Sequence, residues 1–371
     1  MSLQKNSGPV RWFARLMKSA NWLQKLPNKL TPPPFRLMQM GSAFWQSRVL
    51  FVAARLDIAS VLGDSQLSAD NIATRISAQP DATYRLLRML STMGVFDEVE
   101  HRMFKNNALS SYLREDNPKN VRAMVLMHNS AEMSQPWYEQ LEQGLRSGEV
   151  PFTLAHGMEM YAYMDSHPEF DALFTRAMDS VAALTGDSFA TDFDWGPFER
   201  IIDIGGSKGS KSLAILKRHP HLKAQVIDRA EVIQGAAQYW AGREAPALLA
   251  RMSFAAGDLL EAVPAAAGDK DIYLLSAVLH GFDDDTCVKA LRNVVNAIAE
   301  SGARIALMEM VVPESCPDLA SASFDMQMFM GTRGRERTLA EWKTLFNRCG
   351  LQLEEIVSLR SIGNILVLRQ K

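Results

Sequence analysis

Ile201-Ile202-Asp203-Ile204-Gly205-Gly206-Ser207-Lys208-Gly209-Ser210 decides how the rest of this 371-residue chain is read. Apolar residues run straight into a glycine-rich corner, and a helical pattern follows from Leu213 to Lys217. That is the order of a strand, a tight turn and a helix. It opens a βαβ unit of the nucleotide-binding type. Glycines belong at such a corner because the backbone must turn sharply and approach a ligand closely, where a Cβ would obstruct.

Spacing separates the candidate ligands. A dinucleotide fingerprint starting at Gly205 requires glycine at 207 and 210, and both positions are serine, which argues against a pyrophosphate cradle. A phosphate-binding P-loop comes closer, because Ser210-Lys211-Ser212 differs from Gly-Lys-Ser only at its first position. The next strand, Ala224-Gln225-Val226-Ile227, ends in Asp228, about where an acidic residue grips ribose hydroxyls. A nucleoside with a ribose and no pyrophosphate fits best, and S-adenosylmethionine is the common cofactor of that description.

Composition bounds the rest. With 47% hydrophobic and 22% charged residues the chain has the make-up of a soluble globular protein, and its net charge of −2 gives no electrostatic case for nucleic acid. No apolar run approaches the ~18 to 20 residues of a membrane span. Cys287, Cys316 and Cys349 are odd in number and far apart, which suggests neither a disulfide framework nor a metal centre and predicts a reduced, cytoplasmic protein. Of the 20 methionines, Met124, Met127, Met133, Met158, Met160, Met164 and Met178 crowd one middle segment, as core filler or as the lining of an adaptable apolar pocket.

Four segments follow in order. Residues 1–34 form a basic amphipathic extension, with Arg11, Arg15, Lys18, Lys25 and Lys29 among Trp12, Phe13, Leu16, Trp22 and Leu23, followed by a stiff Thr31-Pro32-Pro33-Pro34 spacer. Such a helix suits a partner subunit or peripheral contact with a membrane surface. Residues 35–113 read as a winged-helix-like dimerisation domain: one long helix and its turn over Phe44, Val49, Ala53, Leu56, Ile58 and Val61, a helix capped by Ser68, another opened by Pro80, then a hairpin at 95–99 and 103–105. Winged helices also bind DNA, but Tyr84-Arg85-Leu86-Leu87-Arg88-Met89-Leu90 offers only Arg85 and Arg88 on an otherwise apolar face, which suits a buried dimer surface better. Residues 114–195 read as a helical substrate-pocket segment, rich in aromatic residues and holding Trp137, His128, Tyr161 and Met178.

Residues 196–371 repeat the strand and helix pattern of a Rossmann-like, doubly wound α/β sheet. Strands end at Asp203, at Asp228, at Gly257-Asp258-Leu259, at Ser276 and at Glu309, and two more, around 353–357 and 363–368, make an antiparallel pair at the sheet edge. Polar residues thus gather at the carboxyl ends, where such sheets bind ligands. Asp258 suits the adenine amino group and Leu259 its ring.

After the fourth strand comes Val278-Leu279-His280-Gly281-Phe282, and later Gly334-Arg335-Glu336-Arg337-Thr338 before a helix at Leu339. Together with the Asp-x-Gly-Gly loop and the Gly-Asp pair, these resemble the class I S-adenosylmethionine-dependent O-methyltransferases of small molecules, over roughly residues 35–370. The resemblance implies a methyltransferase sheet, a homodimer, and a small aromatic or apolar acceptor. It implies His280 as general base flanked by Glu309 and Glu336. Gly205, Gly206, Asp228, Asp258, Leu259 and Ser276 would serve the cofactor, with Met178 and Tyr161 over the methyl-donor side. Met328 and Phe324, with Trp137 and His128, would face the acceptor.

A phenol has a pKa near 10 and imidazole near 6.5, so the base needs geometry and a stabilised imidazolium. The chain departs from the family at Ser207, a third loop glycine in relatives and acceptable with φ below zero. It departs at Lys208, expected to reach the cofactor carboxylate, and at Gly281-Phe282, where Asp-Trp is usual. The expected activity is methylation of a phenolic or enolic hydroxyl of a natural product in secondary metabolism. The alternatives are a non-methylating rearrangement or decarboxylation on the same cofactor, and a ligand-sensing DNA-binding regulator.

Overall fold

The computed structural model describes residue 4 and residues 6–315, 317–361 and 363–371, so Cys316 lies outside the described residues. Two compact units are present: the N-terminal residues up to Asn21 together with Thr185–Lys371, and Trp22–Leu184.

The first unit is built on a seven-stranded sheet. Its strands are β1 (Arg200–Ile204), β2 (Lys223–Asp228), β3 (Met252–Ala256), β4 (Asp271–Ser276), β5 (Arg304–Glu309), β6 (Leu351–Ser358) and β7 (Asn364–Gln370), in the spatial order β6-β7-β5-β4-β1-β2-β3. β1 to β5 are parallel, while β7 runs antiparallel to both β5 and β6. This is the Rossmann-like α/β sheet expected. The central strands β1, β4 and β5 read as nearly unbroken apolar runs because both their faces are covered, whereas the outer β2 and β3 carry Gln225 and the exposed Ser253. Ile202, Ile204, Tyr273, Leu275, Ile305 and Leu307 pack with Leu291 and Val294 of the helix Asp284–Ile298 and with Trp342 and Leu345 of the helix Leu339–Arg348. Ile201, Ile272, Leu274 and Ala306 turn the other way, onto Leu213 and Leu216 of the helix Ser210–Arg218. Each such Ile or Leu, fully buried, contributes roughly 1.5–3 kcal/mol.

Register then positions the site. Ile204 lies opposite Ile227 and Leu275, Asp228 opposite Ala256, and Ser276 opposite Met308. The five parallel strands therefore finish in line, and the loops that follow them stand side by side. A parallel pair of two-residue strands, Val311–Val312 and Arg337–Thr338, was not expected from the sequence, being too short to show a periodicity. It brings the Glu336-Arg337 segment alongside the end of β5.

The second unit contains the winged-helix order: helices Ala43–Arg55, Ile58–Leu62, Ala69–Arg75 and Pro80–Thr92, and a three-stranded sheet of Leu67–Ser68, Phe96–Glu100 and Met103–Asn106. Ser68 Oγ accepts from Asn71 N at 3.1 Å, the cap read from the sequence. Two local expectations are corrected. The segment read as one long helix and its turn is two helices, Ala43–Arg55 and Ile58–Leu62, divided at Asp57, whose φ of 54° cannot continue a right-handed helix. The proline spacer instead opens the helix Pro33–Gly41, because proline fits the first helical turn, where its missing N–H is not needed. Leu87 and Leu90 turn into this unit's own core, with Ile72, Phe96 and Phe104, while Arg85 and Arg88 are exposed. The open apolar surface lies instead on Phe35, Leu37, Met38, Met40, Phe44 and Trp45. No helix among the described residues is long and apolar enough to cross a membrane.

Candidate active site

The corner after β1 is shaped by what glycine omits. Gly205 has a φ of 69°, and a Cβ there would lie 2.8 Å from Val278 Cγ2; one on Gly206 would lie 2.6 Å from Asp203 Cγ and 2.8 Å from Val226 Cγ1. Side chains at these two positions would collide with the floor, so the backbone itself forms the cradle. Ser207 has a φ of 52°, which corrects the expectation of a negative value. Its N–H donates to Asp228 Oδ2 at 2.7 Å, and Arg229 N donates to Asp228 Oδ1 at 2.8 Å, so the carboxylate at the end of β2 is fixed beside the loop.

Beneath the cradle Asp203 is buried and accepts from Ser212 Oγ at 2.6 Å. Burial pushes its pKa up to about 6, the serine bond and the Lys211 charge opposing. Lys211, the lysine of the near-match P-loop, is half-buried; desolvation lowers its pKa while Asp203 and Glu309 hold it up. Lys208 does not stand free over the loop: its Nζ lies 4.7 Å above the Tyr239 ring. After β3, Asp258 is exposed and Oδ1 accepts from Leu260 N at 2.8 Å. Leu259, expected against the adenine ring, packs at the edge of the core with Ile227 and Leu275. Ser276 is half-buried at the end of β4.

His280 sits in a short 3₁₀ turn, Leu279–Gly281, between β4 and the helix that Asp283 caps. Its Nδ1 lies 2.8 Å from Glu336 Oε1, on a glutamate side chain with no exposure. Glu309, at the end of β5, accepts from Val278 N at 3.0 Å and Leu279 N at 2.9 Å through Oε1. Its Oε2 and Glu336 Oε2 are buried without a hydrogen-bond partner. Burial disfavours the His280 imidazolium, but the Glu309 charge and the Glu336 hydrogen bond outweigh it and raise the pKa above the ordinary value. Burial raises the Glu309 pKa as well, with His280 opposing. Glu309 and Glu336, 27 residues apart in sequence, thus meet around one histidine.

On the helix Leu319–Gly331, Phe324 places its ring centroid 6.1 Å from that of His280, and Met328 follows one turn later on the same face. Sequence reasoning passed over three residues here. Asp325 Oδ1 accepts from Glu336 N at 2.8 Å, Gly334 abuts the backbone of His280 and Gly281, and Arg337 is fully buried against the same turn. The run Gly334-Arg335-Glu336-Arg337-Thr338 carried the signal for the last two. A Cβ on Gly281 would meet nothing within 4 Å.

Trp137, His128, Tyr161 and Met178 belong to the other unit. Trp137 is half-buried in a π-helical turn, Pro136–Gln140; Tyr161 and Met178 are 47% and 38% exposed. His128 closes the helix Arg122–His128 and is open to solvent, although surrounding protein lowers its pKa by desolvation. Among the described residues no group of three or more His, Cys, Asp or Glu is arranged to hold a metal ion.

The glycine cradle, an acid at the next strand end and a second acid after β3 suit a nucleoside cofactor that lacks phosphates. Comparison with known proteins agrees. The family model of the O-methyltransferase domain matches residues 138–352, and that of the O-methyltransferase dimerisation domain matches 38–116, which supports a homodimer. The chain is 31% identical to the phenazine O-methyltransferase PhzM of Lysobacter antibioticus, over 86% of this chain and 92% of that protein. It is 30% identical to the mitomycin biosynthesis 6-O-methyltransferase of Streptomyces lavendulae, over 84% and 86%. The solved structure of CalO1, a methyltransferase of calicheamicin biosynthesis in its S-adenosylhomocysteine-bound form, superposes with a TM-score of 0.78 at 28% identity, covering 91% of this chain and 98% of that one. On that match across both regions, the chain belongs to the S-adenosylmethionine-dependent O-methyltransferase family.

Proposed function

We propose that the protein methylates a phenolic or enolic hydroxyl of an apolar, aromatic natural product, with His280 as the general base. The observation that carries this reading is the buried 2.8 Å contact between His280 Nδ1 and Glu336 Oε1, reinforced by the Glu309 charge. With Nδ1 engaged, Nε2 takes the acceptor's proton, and the two carboxylates stabilise the imidazolium that results. Bound S-adenosylmethionine supplies an activated methyl group on a sulfonium. Gly205 and Gly206 would admit its backbone-hugging portion, Asp228 its ribose hydroxyls, Asp258 its adenine amino group, and Ser276 would border it. Phe324 and Met328 would hold an aromatic acceptor near His280, in keeping with a relative named for a phenazine. The expected roles of Trp137, His128, Tyr161 and Met178 rest on sequence alone. A base held by two carboxylates favours methyl transfer over a rearrangement that needs only the cofactor's charge.

The test is incubation with S-adenosylmethionine and a panel of hydroxylated aromatics that includes a hydroxyphenazine and a catechol. S-adenosylhomocysteine and an O-methylated product should form together, and both should collapse in His280→Ala. A transformed acceptor without S-adenosylhomocysteine would sink the methyl-transfer reading, and full activity in His280→Ala would remove the base.

A further inference from the structure

Arg337 has no solvent exposure, yet its charge is not spent on the carboxylates around His280. Its guanidinium grips Asp284 Oδ1 through Nε at 2.9 Å and Nη2 at 2.7 Å. The remaining donors go to main-chain carbonyls: Nη2 to Phe282 O at 2.8 Å, and Nη1 to Leu279 O at 3.2 Å and Arg335 O at 3.4 Å. The Trp342 ring lies 5.2 Å from Cζ. Leu279 and Phe282 bracket His280, and Asp284 begins the helix that follows. Burying a guanidinium is costly, and an apolar side chain often serves stability as well, so fold stability alone accounts poorly for it. A planar fork, by contrast, fixes several acceptors at once in one geometry.

We infer that Arg337 is a positioning residue that locks the 279–284 turn so that His280 Nδ1 meets Glu336. Adjacent residues then hold the base from two sides: Glu336 takes the ring and Arg337 the backbone on either side of it. The inference rests on His280 as the base. Asp284 is 48% exposed on its side chain, so the outer end of the clamp can be altered without opening the core.

The experiment is an NMR pH titration of the full chain labelled with [15N]histidine, the His280 signals being assigned by their loss in His280→Ala. Wild-type His280 should titrate above the ordinary histidine value. Arg337→Lys keeps the charge but loses the fork, and its His280 midpoint should shift down toward that ordinary value, while calorimetric affinity for S-adenosylhomocysteine is retained. Where Arg337→Lys does not fold, Asp284→Asn decides, with a smaller shift in the same direction expected. A folded variant with retained affinity and an unmoved His280 midpoint overturns the inference. A wild-type midpoint at or below the ordinary value would instead count against the paired base itself, so the two failures are distinguishable.

Discussion

Glu336 Oε1 meets Nδ1 of His280 at 2.8 Å, and in the proposed reaction Nε2 is the ring nitrogen that takes the substrate proton. Only the neutral imidazole can accept that proton. Because the carboxylates raise the His280 pKa against the effect of burial, methyl transfer should be weak in mild acid and rise with pH through a midpoint above the ordinary histidine value. Glu336→Gln removes a charge that favours the imidazolium, so the midpoint should move to lower pH while the maximal rate falls. A pH profile of kcat in both proteins checks this; a midpoint that stays in place in Glu336→Gln would sever the link.

His280→Ala should lower kcat by roughly 10² to 10⁴, the usual worth of general-base catalysis. Calorimetric affinity for S-adenosylhomocysteine should be unchanged, since the glycine cradle and Asp228 lie on other strand ends. Loss of cofactor binding would mean that the turn carries more than the base.

At Gly334 a Cβ would run into the carbonyl oxygen of His280 and the backbone of Gly281, neither of which can rotate away. Gly334→Ala should therefore displace the turn, costing about 1–3 kcal/mol as overpacking does. Thermal unfolding and kcat should both fall, the latter more steeply because small misplacements of a base are amplified in rate.

Ser207 holds a φ of 52°, where a side chain costs roughly 1–2 kcal/mol and glycine does not. Glycine's extra freedom in the unfolded chain returns about 0.5–1 kcal/mol of that. Ser207→Gly should thus be slightly stabilising in thermal unfolding. Cofactor affinity should persist, because the bond to Asp228 comes from the main-chain N–H.

Asp203 is raised by burial to about 6 from 3.8. Its folded pKa exceeds its unfolded one, so its contribution is fully present below about pH 4 and is lost as pH rises through about 6. The loss is on the order of 3 kcal/mol. In cofactor-free protein, Asp203→Asn should flatten this part of the stability profile and stand above wild type at pH 7, with Ser212 still donating to the amide oxygen. Equal pH dependence in the two proteins would show that folding does not raise the Asp203 pKa.

The central strands β1, β4 and β5 were legible because they are buried on both faces and so almost wholly apolar, and because the residues at or just past the strand ends, Gly205, Asp228, Asp258 and Glu309, break the apolar runs abruptly. β3 and the helix starting at Leu339 fall at the residues read from the sequence. Short local choices were less legible. A left-handed Asp57 leaves no periodic trace, and a Pro-Pro pair suits a spacer as well as a helix start.

The layering of the sheet and the glycine corner with its acid could be read from the chain, since apolar periodicity and motif spacing are local properties, and the roles of His280, Glu309 and Glu336 were implied by the resemblance that the motifs carry. How these residues meet follows from the folding of the chain in three dimensions. The pairing of Val311 with Arg337 draws the Glu336 segment to the end of β5, Leu259 packs at the edge of the core while Asp258 faces out, Lys208 settles over Tyr239, and Arg337 closes on the His280 turn. Such contacts join residues far apart in the chain, and their geometry is fixed by burial and by the need to satisfy every buried donor and acceptor, which no local pattern encodes.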